Sequence, residues 1–111
     1  MKNPVVHWEI SFKDYKKGKE FYSQLFDWNV EEMDMGGTPY GMVNADPVND
    51  RGIGGGLMPK SPDARHGFTT FYVFVDDVTA YLKKVEKLGG KTVIPRTPIP
   101  NTGYYGLFTD P

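Results

Sequence analysis

Cysteine is absent from the 111-residue chain. That absence excludes a disulfide scaffold, a thiolate zinc site, an iron–sulfur cluster and a cysteine nucleophile together. Long apolar runs are lacking too. No stretch approaches the roughly 18 residues that a membrane-spanning helix requires. Met1-Lys2-Asn3-Pro4 leads straight into an alternating pattern without a signal-peptide core, so the expected location is cytoplasmic. Nor does one sign of charge dominate: 13 basic residues against 14 acidic ones leave a net charge of −1. No basic block is present to meet nucleic acid or an anionic membrane surface.

What is present begins at Val5. From Val5 to Phe12 the side chains alternate, with Val6, Trp8, Ile10 and Phe12 apolar on one face and His7, Glu9 and Ser11 polar on the other. This is the period of a half-buried strand whose second face meets something wet. Asp14 then offers an N-cap oxygen, and Gly18, Phe21, Tyr22, Leu25 and Phe26 recur at helical spacing until Asp27 interrupts them. Trp28 to Met33 and Pro39 to Asn44 read as two strands of a hairpin turning at Met35-Gly36-Gly37-Thr38. Ala45 to Arg51 reads as a loop. Gly52 to Met58 is a short glycine-rich strand whose backbone approaches a neighbour closely.

Pro59 to Gly67 reads as a linker, with His66 a solvated loop residue. Thr69 to Val75 predicts a strand. Asp77 caps a helix through Val78, Tyr81, Leu82, Val85 and Leu88, which Gly89-Gly90 ends. Lys91 to Thr97 and Tyr104 to Thr109 predict two more strands around the turn Pro98 to Gly103. The two lysine groups, Lys16-Lys17-Lys19 and Lys83-Lys84-Lys87, read as solvated helix faces. Gly54-Gly55-Gly56 lacks both the lysine of a phosphate loop and a following helix N-terminus.

Displaced by 63 positions, the chain overlays itself: Ile10-Ser11-Phe12-Lys13-Asp14 falls on Val73-Phe74-Val75-Asp76-Asp77, Leu25 on Leu88 and Val30 on Val93. The coincidence of strand face, aspartate cap and helix end predicts two copies of one βαβββ module. The modules run approximately from 4 to 58 and from 68 to 111, within a single domain. The expected fold is α+β, with two tandem modules forming a curved mixed sheet and two helices outside. The counterpart of Ile53 would be position 116, past Pro111, so the last strand of the second module is expected to be missing from this chain.

The paired modules, the histidine near the start of the lead strand, Phe21-Tyr22 with Leu25-Phe26-Asp27-Trp28, Val75-Asp76-Asp77-Val78, Leu88-Gly89-Gly90 and the closing Phe108-Thr109-Asp110-Pro111 form an ordered set. That set resembles the vicinal oxygen chelate superfamily, the glyoxalase, bleomycin-resistance and extradiol-dioxygenase group. The resemblance implies a cleft enclosed by the two modules. In metal-dependent members one ligand comes from the first and last strand of each module. His7 is the only matching ligand position: its repeat counterpart is Thr70, and the strand Gly52 to Met58 has glycines where a Glu is expected. A hard divalent ion held by so few groups is poorly fixed, so no metal cofactor is expected.

Within that cleft His7 is expected either as a hydrogen-bonded histidine or as a ligand-contacting acid or base. Glu9, an inward carboxylate, needs a partner: His7, Arg96 or a ligand. Tyr40, Met42, Met58, Thr70, Tyr72, Phe74 and Tyr105 complete the candidate ligand-binding set, a lining suited to flat apolar or cationic small molecules. Each of them alone also reads as a core or dimer-interface residue. No catalytic residue is assigned.

The leading expectation is a glyoxalase/bleomycin-resistance-like protein that binds a small organic molecule without the family's metal site, the expected partners being that molecule and a second copy of the chain. The alternatives are a metal-dependent lyase, isomerase or dioxygenase with His7 as one ligand, and a non-catalytic dimeric interaction module.

Overall fold

A strand whose faces differ in polarity needs a neighbour on each edge and a cover on its apolar side, and β1 (Val5–Phe12) has both. The structure, a computed structural model, describes residues 2–45 and 52–111. The elements that follow are α1 (Tyr15–Phe26), β2 (Val30–Met35), β3 (Thr38–Val43), β4 (Gly55–Pro59), β5 (Thr69–Val73), α2 (Val78–Lys87), β6 (Lys91–Ile99) and β7 (Gly103–Thr109). The class is α+β. Two compact units are present, Met1–Phe74 and Val75–Pro111.

In the first unit the five-stranded sheet has the order β2-β3-β4-β1-β5. β1 runs parallel to β4 and antiparallel to β5, so the sheet is mixed. The β1–β5 register sets His7 opposite Tyr72, Trp8 opposite Phe71 and Glu9 opposite Thr70. Exchanging the strands by the 63-residue offset turns the His7–Tyr72 pair into the Thr70–Glu9 pair, so the two strands are related by a local two-fold through Trp8 and Phe71.

α1 starts where Asp14 accepts a hydrogen bond from the Lys17 amide at 3.1 Å, and it ends at Asp27 in the left-handed conformation, φ 56°. It covers the apolar side of β1. The Phe12 ring lies against Gly18, where an added Cβ would come within 2.2 Å of Phe12 Cδ1. Trp28 stacks on Tyr22 at 5.6 Å and meets Trp8 at 5.2 Å. Trp28 is therefore part of this aromatic cluster and not the start of β2, which begins at Val30. Tyr15 donates to Glu32 at 3.0 Å and Lys19 pairs with the same carboxylate, tying α1 to β2. Burial and the Glu32 hydrogen bond push the Tyr15 phenol up to about 12.

The hairpin turns at Gly36 and Gly37, with φ of 67° and 91°, the left-handed pair that suits a two-residue hairpin loop. The glycine-rich strand begins at Gly55 and not at Gly52. The loop expected over Ala45 to Arg51 lies, beyond Ala45, outside the described residues. β5 stops at Val73, two residues before its expected end, and β6 continues past Thr97 to Ile99.

In the second unit Asp77 caps α2 by accepting from the Ala80 amide at 3.0 Å. α2 buries Leu82 against the β6–β7 hairpin, where Gly106 leaves room for Leu82 and Val78. Arg96 lies over the Tyr104 ring at 3.5 Å.

The two glycines of β4 are seats for rings on opposite sides of the sheet. A Cβ on Gly55 would stand 2.0 Å from Trp8, and one on Gly56 would stand 1.9 Å from the Tyr40 hydroxyl. Tyr40 is 6% exposed and Leu57, between the two strands' ring-bearing positions, is wholly buried. Gly56→Ala is expected to lower the stability of the fold by about 1–3 kcal/mol, the usual range for overpacking, as measured by urea denaturation. A loss below about 0.5 kcal/mol, the range of a neutral surface change, would mean that Tyr40 does not rest on this strand.

Candidate functional site

The polar face of β1 becomes chemistry through its cross-strand neighbours. Residues opposite one another in a sheet project to the same side. Glu9 faces Gly56 on one edge and Thr70 on the other, His7 faces Tyr72, Ser11 faces Met58, and Met42 faces Gly56. Tyr40 reaches across the space left by Gly56. One face of one sheet thus carries His7, Glu9, Tyr40, Met42, Met58, Thr70 and Tyr72, seven of the nine candidate ligand-binding residues.

Four of them are hydrogen-bonded together. His7 Nε2 lies 2.7 Å from Tyr40 Oη. Tyr40 Oη donates to Glu9 Oε2 at 2.9 Å, and Tyr72 Oη donates to Glu9 Oε1 at 2.6 Å. The His7 ring is nearly parallel to Tyr40, at 13°, and tilted against Tyr72 with centroids 5.7 Å apart. The partner of Glu9 is thus a pair of phenols. Of the partners expected for Glu9, which were His7, Arg96 or a ligand, His7 connects through Tyr40 and Arg96 lies on Tyr104 within the second unit. Phenols satisfy a half-buried carboxylate without adding a countercharge.

Phe74 takes no part in this network. It follows β5, is 58% exposed, and its backbone bonds to Pro4 while accepting from Asn3. Tyr105 belongs to the second unit, opposite Thr97 on β6. His66 is exposed, with its ring against Phe68.

Sequence reasoning missed three contributors. Gly56 is the seat of Tyr40, which the glycine triplet signalled only as close backbone approach. Met33, opposite Tyr40, and Glu31, opposite Met42, extend the same face. Their signal was the alternation of β2, which becomes a face of this sheet only through its pairing with β3.

Among the described residues no group of three or more His, Asp or Glu side chains comes together in a way that could hold a metal ion. An open groove of about 440 Å³ at the β2–β3 hairpin is lined by Glu32, Met33, Asp34, Gly37 and Pro39, none of which belongs to the network.

Burial holds the His7 imidazole below its ordinary value of 6.5, partly offset by the negative charge of Glu9. Burial, then the charge and hydrogen bond of Glu9, push Tyr40 far up, so its phenol stays protonated. A depressed folded value means that the unfolded chain holds the His7 proton more tightly. The stability contributed by neutral His7 is complete above pH 6.5 and is lost as pH falls through the lowered folded value. Urea denaturation across that window is expected to show stability falling with acidification, and the slope is expected to be shallower in His7→Gln. An identical slope in both proteins would assign the acid sensitivity to other groups.

A family model described as the Glyoxalase/Bleomycin resistance protein/Dioxygenase superfamily matches residues 5–111. Two curated proteins named "Putative glyoxylase CFP32", from Mycobacterium bovis (strain ATCC BAA-935 / AF2122/97) and Mycobacterium tuberculosis (strain CDC 1551 / Oshkosh), are each 30% identical to the chain over 108 residues. The match covers 93% of this chain and 40% of each relative, so the chain spans less than half the length of the curated relatives it matches. No helix among the described residues is long and apolar enough to cross a membrane. With the mixed sheet, the polar face of its central strand and a family match from the first strand to the last residue, the chain belongs to the glyoxalase/bleomycin resistance protein/dioxygenase superfamily.

Proposed function

We propose that the chain is a cytoplasmic member of its superfamily that binds a small organic molecule against the polar face of the five-stranded sheet without the family's metal site. The observation that carries this reading is the His7–Tyr40–Glu9–Tyr72 network. His7 Nε2 is engaged by a protein hydroxyl, and both carboxylate oxygens of Glu9 accept phenol protons. A divalent ion would have to break these bonds and would still lack the roughly three protein ligands that catalytic sites use to set geometry. Thr70 and the β4 glycines offer it no nitrogen or carboxylate. The half-buried thioethers of Met42 and Met58, beside the rings of Tyr40 and Tyr72, favour a flat organic body.

A second reading is a metal-dependent lyase, isomerase or dioxygenase with His7 as one ligand; the relatives' printed name, a glyoxylase, speaks for an enzyme. Calorimetric titration with Ni²⁺, Zn²⁺, Mn²⁺ and Fe²⁺ separates the two. No stoichiometric binding tighter than about micromolar, roughly −8 kcal/mol, is expected. Tighter binding that disappears in His7→Ala would establish the second reading instead. On the first reading, an NMR screen of a fragment library is expected to move the resonances of His7, Thr70 and Met42 together; silence across the library would sink it.

We propose further that the chain acts as a homodimer. Phe21 and Leu25, one helical turn apart on α1, are 59% and 56% exposed, a pairing of apolar side chains that association would cover. Sedimentation equilibrium is expected to give twice the 12.5 kDa chain mass, with Leu25→Glu shifting the protein toward monomer. A monomeric wild type would exclude both the dimer and the reading of the chain as a dimeric interaction module.

A further inference from the structure

The network has a polarity that follows from counting its protons. Tyr40 has a single hydroxyl proton, and its oxygen lies within hydrogen-bond distance of two groups, Glu9 Oε2 and His7 Nε2. An ionised carboxylate can only accept, so the Tyr40 proton goes to Glu9. His7 Nε2 must then carry a hydrogen and donate it to Tyr40. The Tyr72 proton is directed to the other carboxylate oxygen. All three donors of the cluster are therefore engaged inside it.

What the cluster can offer a ligand is acceptors. The unprotonated Nδ1 of His7 has no hydrogen-bond partner among the described residues, and the carboxylate of Glu9 retains lone pairs beyond its two phenol bonds. The charge agrees. None of the five strands of the sheet contains a lysine or arginine, whereas Glu9 and Glu31 stand on this face. Aromatic rings and thioethers flank the acceptors, and both kinds of group tolerate or attract a cation.

We propose that this face selects an organic cation bearing N–H donors, such as a protonated amine, amidine or guanidine on a flat apolar body, over an anion of the same shape. The inference rests on the reading of this face as a small-molecule site and adds the ligand's charge and hydrogen-bond sense. A carboxylate or phosphate brought here would meet a like charge, and the cluster would offer its oxygens no donor.

The test uses matched probes on the full chain. Benzamidine and benzoate share a ring and a planar, forked polar group of opposite charge and opposite hydrogen-bond sense. Titrated by NMR, benzamidine is expected to shift His7, Met42, Met58 and Thr70 and to bind at least about tenfold more tightly than benzoate, a difference of about 1.4 kcal/mol. In Glu9→Gln the preference is expected to fall below about threefold, correspondingly under 1 kcal/mol. Should that variant fail to fold, the wild-type comparison decides alone. The ring nitrogens of His7 in the ligand-free protein, observed by ¹⁵N NMR at neutral pH, are expected to show Nε2 protonated and Nδ1 bare. The reverse tautomer would overturn the proton count. Benzoate binding as well as benzamidine, with shifts at the same residues, would overturn the charge selection while leaving the small-molecule site standing. Neither probe moving these residues would overturn both.

Discussion

Two consecutive residues without side chains, Gly55 and Gly56, allow Trp8 and Tyr40 to lie against opposite sides of β4, and most of the first unit depends on that arrangement. On the helix side, Trp8 meets Trp28 and so joins the aromatic cluster under α1, while its indole nitrogen donates to the Ile53 carbonyl at 2.9 Å. On the other side, Tyr40 reaches over Gly56 to place its hydroxyl between His7 and Glu9. Any side chain at either glycine would remove one of these rings from its place. The packing of the apolar side and the chemistry of the polar side are thus set by the same pair of positions.

The position of Tyr40 explains how a glutamate and a histidine share a half-buried surface without a direct ion pair. A carboxylate removed from water needs hydrogen bonds more than it needs a countercharge, and two phenols provide them. The same phenol that satisfies Glu9 also engages His7 Nε2. The strong upward displacement of the Tyr40 phenol and the downward displacement of His7 are two consequences of one burial event, each opposing the charged form of its own group.

The 63-residue offset seen in the sequence has a counterpart in the β1–β5 pairing. Glu9 and Tyr72 stand 63 positions apart and hydrogen-bond to one another across the β1–β5 pair. The local two-fold through Trp8 and Phe71 sets Glu9 and Tyr72 on a diagonal of the pair, within reach of one another. Here one copy of the position holds a carboxylate and the other a phenol, so a site symmetric in backbone is asymmetric in chemistry.

The sequence by itself determined the alternation of β1, both aspartate caps, the helix end at Asp27, the glycine hairpin and the family resemblance, because each rests on interactions within a few residues or on an ordered set of such signals. His7, Glu9, Tyr40 and Tyr72 were legible as members of one polar face by parity along their strands. Their hydrogen bonds were not legible. Which phenol reaches Glu9 depends on strand order, on a one-residue irregularity between Val5 and His7 in the β1–β5 register, and on the absence of a side chain at Gly56. Only the tertiary structure decided these. The same limit accounts for Trp28, expected to open a strand, which instead stacks on Tyr22 and meets Trp8. It accounts too for Phe74, which lies past the end of β5, and for Tyr105, which pairs within the β6–β7 hairpin of the second unit.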